Sequence, residues 1–340
     1  MEKLYCGIDL HSNNNYIVVS NGNENKLLQK RLPNDLVEVK RILNPFKDRI
    51  QGVVVESTYN WYWLVDGLMD ADYKVNLANP AGIKQYEGLK HSDDKGDAAW
   101  LAHLLYLGIL KKGYIYPKKN RGIRDLGRKR AQMVRLRTVN ILSIQNIYSR
   151  NTGSQITCRE VKIFPPDKIN ELLYEPDAAL AASCNLEVMI ALEKQVKRLE
   201  TEILDRVKLR PEYQKLLTID GVGKVLAITI MLETGEIDRF KKAGNFVSYC
   251  RCVKSQRTSN GKKKGVGNRK NGNKYLSWAF IEAANFAIRF NDKARRFYER
   301  KAAKTKKVVA IKALAAKLAR AAYYIMKNQS EFDDNRLFRN

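Results

Sequence analysis

Leu4-Tyr5-Cys6-Gly7-Ile8-Asp9, the run Asn13-Asn14-Asn15, and Tyr16-Ile17-Val18-Val19-Ser20 decide how the N-terminal part of this chain folds. Two short apolar runs rich in β-branched and aromatic residues, separated by turn formers, read as the strands of a hairpin. Gly52-Val53-Val54-Val55-Glu56 reads as another strand, and Val75-Asn76-Leu77-Ala78 as a further one. Residues 61–69 and 98–110 carry the spacing of helices. Strands and helices alternating in this way predict a mixed sheet flanked by helices over roughly the first 110 residues, an α/β unit.

Beyond it the pattern becomes helical. Leu126, Met133, Val134, Ile141 and Ile144 recur at helical spacing in a basic stretch over residues 121–148, and Leu186, Met189, Ile190, Leu192, Val196, Leu199 and Ile203 do so over residues 178–208. A polar, proline-containing stretch separates them. Two long amphipathic helices predict an antiparallel hairpin or a dimerising coiled coil, and equally suit a packed helical linker. Next come Ile219-Asp220-Gly221-Val222-Gly223-Lys224 and an apolar helix over residues 225–233. Gly221, Gly223 and Lys224 suit a helix-hairpin-helix-like element, whose backbone amides meet a phosphate at a helix N-terminus. The same residues also suit a plain turn between two helices. Residues 254–274 hold eight Lys or Arg, no acid and several glycines, which predicts a phosphate-contacting loop. Helical patterning returns from Tyr275, so the C-terminal part is mostly helical.

Composition narrows the function. The 340 residues include 62 Lys and Arg against 36 Asp and Glu, a formal charge of +26 that would draw phosphate backbones and make binding salt dependent. No uninterrupted apolar stretch reaches the roughly 18 residues of a membrane span, and no signal peptide is evident, so a soluble, intracellular protein without a membrane partner is expected. Five scattered cysteines and three histidines, His11, His91 and His103, lack any repeated zinc-ligand spacing. Cys250 and Cys252 read as alternate positions on a strand or as small core residues rather than as metal ligands.

Against this basic background four acids stand out: Asp9 after the first strand, Glu56 at the end of a later strand, and Asp94 and Asp97 three residues apart. Strand ends can bring Asp9 and Glu56 to one sheet edge, and a helix starting at Asp94 puts the other two on one face. Converging carboxylates repel unless cations neutralise them, and hard oxygen ligands select Mg²⁺ or Mn²⁺. Each acid alone suits a solvated turn or a helix cap, a role for which Asp93 is well placed. In the basic loop, hydroxyls stand among cations, and a serine there could attack a phosphodiester while Arg257, Lys262, Lys263 and Lys264 hold phosphates; the same hydroxyls equally suit turn formers or hydrogen-bond donors to phosphate.

Gly7-Ile8-Asp9-Leu10-His11, Val55-Glu56-Ser57-Thr58, Asp94-Lys95-Gly96-Asp97-Ala98, Ile219-Asp220-Gly221-Val222-Gly223, Thr258-Ser259-Asn260-Gly261-Lys262 and Lys270-Asn271-Gly272-Asn273-Lys274-Tyr275-Leu276 follow one another in an order that resembles the IS110/IS1111 family of insertion-sequence transposases. The likeness spans nearly the whole chain. It implies a RuvC-like (RNase H-like) DEDD metal-binding domain over residues 1–115, a helical coiled-coil segment over 116–212, and a transposase domain with a catalytic serine over 213–340. It implies Asp9, Glu56, Asp94 and Asp97 as metal ligands and Ser259 as nucleophile, with Arg269, Lys270 and Lys274 added to the nucleic-acid-binding set. Partners implied are donor and target DNA, a structured noncoding bridge RNA, and further copies of the chain in a dimer or tetramer. The expected setting is a prokaryotic cytoplasm, at the nucleoid when DNA is bound. Many relatives read Ser-Ser-Gly where this chain has Thr258-Ser259-Asn260, and Gly-Leu-Val-Pro where it has Arg251-Cys252-Val253-Lys254, so Thr258 and Ser255 stay open as hydroxyl contributors. A water-using Holliday-junction-type endonuclease and a non-catalytic scaffold are the alternatives.

Overall fold

The computed structural model describes residues 2–22, 25–79, 93–254, 257–265 and 271–338, with the side chains of Arg257 and Lys263 outside that set. Two compact units emerge, Met1–Lys118 and Lys119–Asn340. The long helices expected between the metal-binding and transposase parts fall almost entirely within the second unit.

In the first unit, β1 (Leu4–Leu10), β2 (Asn14–Ser20), β3 (Lys26–Pro33), β4 (Ile50–Glu56) and β5 (Val75–Ala78) form a mixed sheet in the order β3-β2-β1-β4-β5. The hairpin expected from the first two runs is present, β1 pairing antiparallel with β2, and β3 extends the antiparallel side. On the other side β4 and β5 run parallel to β1. Helices α1 (Leu36–Leu43), α2 (Tyr62–Met69) and α3 (Asp94–Tyr106) accompany the sheet. Alternation along β1 sends Leu4, Cys6, Ile8 and Leu10 into a fully buried core with Val39 and Leu43 of α1 and Leu64, Val65 and Leu68 of α2. Each such aliphatic side chain contributes about 1.5–3 kcal/mol by leaving water. Across the sheet, Val54 packs with Leu101 and Leu104 of α3. Gly7 explains how α3 comes so near. A Cβ there would lie 1.9 Å from the Ala98 carbonyl oxygen, so only glycine admits the helix backbone against β1.

The second unit begins with α4 (Lys118–Thr152), whose first residue closes the first unit. The polar, proline-containing stretch between the long helices holds two short ones, α5 (Cys158–Lys162) and α6 (Lys168–Leu172), and α7 (Pro176–Val207) then runs back along α4. Arg130 pairs with Glu200 at 2.6 Å and Arg137 pairs with Glu193, so α4 and α7 run in opposite directions. Ile141, Ile144 and Ile147 meet Ala182, Leu186 and Met189 at the distal end, closed by Val161, Ile169 and Leu173. The proximal end, through Ile123, Ile203 and Val207, joins the main core.

That core is built by α8 (Pro211–Leu216), α9 (Lys224–Thr234), α10 (Ala243–Tyr249), α11 (Lys274–Phe290), α12 (Asp292–Ala302) and α13 (Lys307–Asn328), followed by the short α14 (Asp334–Leu337). Cys250 and Cys252 are buried free thiols within it, as their sequence context suggested. The glycine-rich basic segment departs from the expected loop. Its central part is a two-stranded antiparallel ribbon, β6 (Arg257–Ser259) and β7 (Lys262–Gly265), turning at Asn260 and Gly261. Both turn residues have positive φ, 47° and 69°, which Asn and Gly tolerate and which suits a tight hairpin. Among the described residues, no helix is long and apolar enough to cross a membrane.

Candidate active site

Asp9 and Glu56 end adjacent parallel strands. Gly7 of β1 pairs with Val54 of β4 and Ile8 with Val55, so the next residues, Asp9 and Glu56, stand side by side at the carboxyl ends. Since Gly7 and Val54 face α3, alternation turns both acids to that same side. Asp9 is buried and Glu56 half-buried. Their carboxyl groups share a hydrogen bond. Burial, followed by that hydrogen bond and the charge of Asp9, pushes Glu56 up to about 7, with His11 acting in the opposite direction.

Helix α3 delivers the third acid. Asp93 is its N-cap, accepting a hydrogen bond from the Gly96 amide at 2.6 Å, so the cap foreseen for Asp93 forms. Asp94 and Asp97 occupy the first turn, where the helix dipole favours negative charge. The close approach permitted by Gly7 carries this turn to the end of β1. There a histidine joins the acids: His11 Nε2 lies 3.0 Å from Asp9 Oδ2 and 3.3 Å from Asp94 Oδ1. One ligand atom from each of Asp9, His11 and Asp94 lies within 4.8 Å of the other two. Although close to both carboxylates, the buried Nε2 is aligned for a hydrogen bond with neither. Asp97 is exposed in the same turn and lies outside that group of three.

These residues fit a divalent cation. Two neighbouring carboxyl groups, one with its pKa raised by burial and by the other, a third beside them, and a buried nitrogen without a hydrogen bond form a donor set that positive charge would relieve. Nothing in the histidine count revealed His11. The available signal was its place in Asp9-Leu10-His11, since residues two apart on an extended chain share a face.

The other expected residues lie in the second unit. Ser259 and Thr258 are exposed on β6, paired with Lys262 and Lys263 of β7, and Lys262 and Lys264 are exposed. Arg269, Lys270 and Ser255 lie outside the described residues. The base of this segment is firmly held: Arg251 donates to the Asn271 and Gly272 carbonyls at 3.0 and 2.9 Å, and the Asn273 amide donates to the Tyr249 carbonyl at 2.7 Å. Asn273 also caps α11 and donates at 2.7 Å to the buried Glu233, which takes two hydrogen bonds from Arg128 of α4 at 2.6 and 2.8 Å. Lys274 is exposed at the start of α11, over the Tyr275 ring. Gly221, with φ of 89°, packs its α-carbon against α11, where a Cβ would meet Ala283 O and Ala287 N at 2.5 Å. Gly223 is the N-cap of α9 and Lys224 its exposed first residue.

Two transposase signatures match the chain. That of the DEDD transposase of IS110 elements covers residues 6–149, spanning every acid of the site. That of the transposase IS116/IS110/IS902 family covers residues 213–299, spanning the serine ribbon. The chain belongs to the IS110 family of transposases. It is also similar to a probable family 20 transposase of Pseudomonas aeruginosa strain PAO1, at 22% identity over 235 residues, 67% of this chain and 68% of that protein. As an IS110-family transposase it is an enzyme that binds and acts on DNA, and the DEDD signature agrees with a divalent-metal site at the acid cluster.

Proposed function

We propose that this transposase excises and inserts its own mobile element by a metal-assisted serine mechanism, in which Asp9, Glu56, Asp94 and Asp97 hold the metal and Ser259 is the nucleophile. The observation that carries the reading is the convergence of Asp9, Glu56 and Asp94 at one sheet end in a chain of charge +26. The strand order β3-β2-β1-β4-β5 supports a RuvC-like assignment for that sheet. Bound Mg²⁺ or Mn²⁺ would polarise the scissile phosphate and stabilise the charge it gains.

The chain's own groups do the rest. Ser259 Oγ bonds to phosphorus as the bond from phosphorus to the deoxyribose oxygen breaks, and the serine proton ends on the departing hydroxyl. One ester replaces another, so religation by the reverse step needs no nucleotide cofactor. Arg257, Lys262, Lys263, Lys264, Arg269, Lys270 and Lys274 hold phosphates around the reacting one. Support comes from the exposure of Ser259 among cations on a ribbon, in a segment whose flanking residues are hydrogen-bonded, Arg251 to the Asn271 carbonyl and Asn273 to the buried Glu233 of the helical core. The turn joining α8 and α9 acts as a helix-hairpin-helix grip, presenting the first amides of α9, which have no acceptor within the helix, to a phosphate. The antiparallel pair α4 and α7 serves as a coiled-coil arm for assembly of dimers or tetramers, and the acids of one subunit meet Ser259 of another. A structured noncoding RNA guides donor and target DNA, giving the positive charge two polyanions to neutralise. The setting is the cytoplasm, at the nucleoid.

The test is Ser259→Ala in the full-length protein with its element ends and RNA. Strand transfer and the covalent protein–DNA adduct should both disappear while DNA binding persists. Cleavage that continues without an adduct would identify a water-using nuclease instead.

A further inference from the structure

We propose that His11 is a nitrogen ligand of the acid cluster, making it a mixed nitrogen and oxygen centre that binds Mn²⁺ in preference to Mg²⁺. The inference rests on the acid cluster being a metal site and goes beyond it by adding a ligand and a selectivity.

Three features of His11 carry it. First, its Nε2 lies 3.0 and 3.3 Å from one oxygen each of Asp9 and Asp94. An octahedral ion with bonds of about 2.1 Å spaces neighbouring ligand atoms about 3.0 Å apart, so these separations match the edges of a coordination octahedron. Second, Nε2 is buried and forms no hydrogen bond, although the ring as a whole is 40% exposed. An imidazolium bridging two acids would aim its N–H at one of them, whereas a lone pair shared with the carboxylates points toward a common centre. Third, the backbone is clamped. The His11 carbonyl accepts from Asn60 Nδ2 at 2.9 Å and Asn34 Nδ2 at 3.0 Å, and its amide donates to the Asn14 carbonyl at 2.9 Å. The clamps are themselves held, Asn34 by the buried Asn15 at 3.1 Å and Asn60 by Thr58 at 2.9 Å. Such outer supports fix a metal ligand in place before the ion arrives.

Imidazole contributes a donor without another negative charge, and it favours transition ions, whereas carboxylates and water suit Mg²⁺ equally well. The selectivity therefore belongs to His11 rather than to the acids.

The full chain is labelled with ¹⁵N-histidine, loaded with Mn²⁺ and measured by electron spin echo envelope modulation. With only three histidines in the chain, the nitrogen signal is simple to assign. Coupling to one histidine nitrogen is expected, absent in His11→Asn and retained in His103→Asn. By titration, His11→Asn should weaken Mn²⁺ binding about 10-fold while changing Mg²⁺ binding less than about 2-fold. Bound Mn²⁺ that depends on Asp9 but shows no histidine coupling in the unmutated protein overturns the role of His11 alone. Failure of either ion to bind, or Mn²⁺ binding that survives Asp9→Asn undiminished, overturns the metal-site reading and this inference with it.

Discussion

The acid cluster and the serine ribbon are built on opposite principles. Asp9, Glu56 and Asp94 sit on the ends of two central strands and a helix, each element locked by buried aliphatic side chains and by the close passage of α3 over Gly7. Ser259 sits near the tip of a two-stranded ribbon with exposed residues, in a segment whose flanks in sequence are held by Arg251, Asn273 and Glu233. A metal site needs several donors held to fractions of an ångström, which only a packed scaffold supplies. A nucleophile that must reach a phosphate in bound nucleic acid needs exposure and anchored flanks.

The contrast is broken most directly at Gly7. Gly7→Ala places a methyl against the Ala98 carbonyl, so α3 must move; a loss of about 3 kcal/mol in denaturant unfolding is expected, together with loss of Mn²⁺ binding. Below the basic segment, Glu233→Ala removes the carboxylate that Arg128 and Asn273 share. A cost of about 2 kcal/mol is expected, less than for a fully buried pair because Arg128 keeps solvent access. Should the melting temperature stay unchanged, the flank of the segment is not anchored as described.

Glu56 gives a smaller effect with a definite sign. Its folded-state pKa of about 7 lies above the ordinary 4.5, so between these values the folded protein binds more protons than the unfolded chain. The metal-free protein should therefore lose stability as pH rises from about 4.5 to about 7, and saturating Mn²⁺ should flatten or reverse that slope. Thermal melts across this range, with and without the ion, check it. The smallest effect belongs to the tip: Ser259→Ala should change stability by less than about 0.5 kcal/mol even as strand transfer is lost. A larger loss would mean that the serine is part of the folded framework.

Much of this was legible in the residues. The β1 and β2 hairpin, β4 and β5 followed from β-branched runs and turn formers, and the two long helices from the stripes through Ile144 and Leu186. Strand β3, Lys26–Pro33, carries no such signal because four of its side chains are charged or amide groups, Lys26, Gln29, Lys30 and Arg31, as expected of an edge strand. The ribbon around Ser259 was hidden for a related reason, its few residues being mostly polar and lacking an apolar alternation.

Periodicity and residue type, which are local properties, determined by themselves that a sheet-bearing unit precedes a helical one, and that acids stand at strand and helix ends in a strongly basic chain. Which acids meet was decided by the tertiary structure. The parallel register of β1 and β4 sets Glu56 beside Asp9, and the glycine at position 7 lets α3 bring Asp94 to the same point. The entry of His11 was likewise tertiary, because its place depends on Asn34 and Asn60, remote in sequence, converging on one carbonyl. Spacing along a chain encodes neighbours within an element, whereas proximity between elements arises only from the packing that buries them.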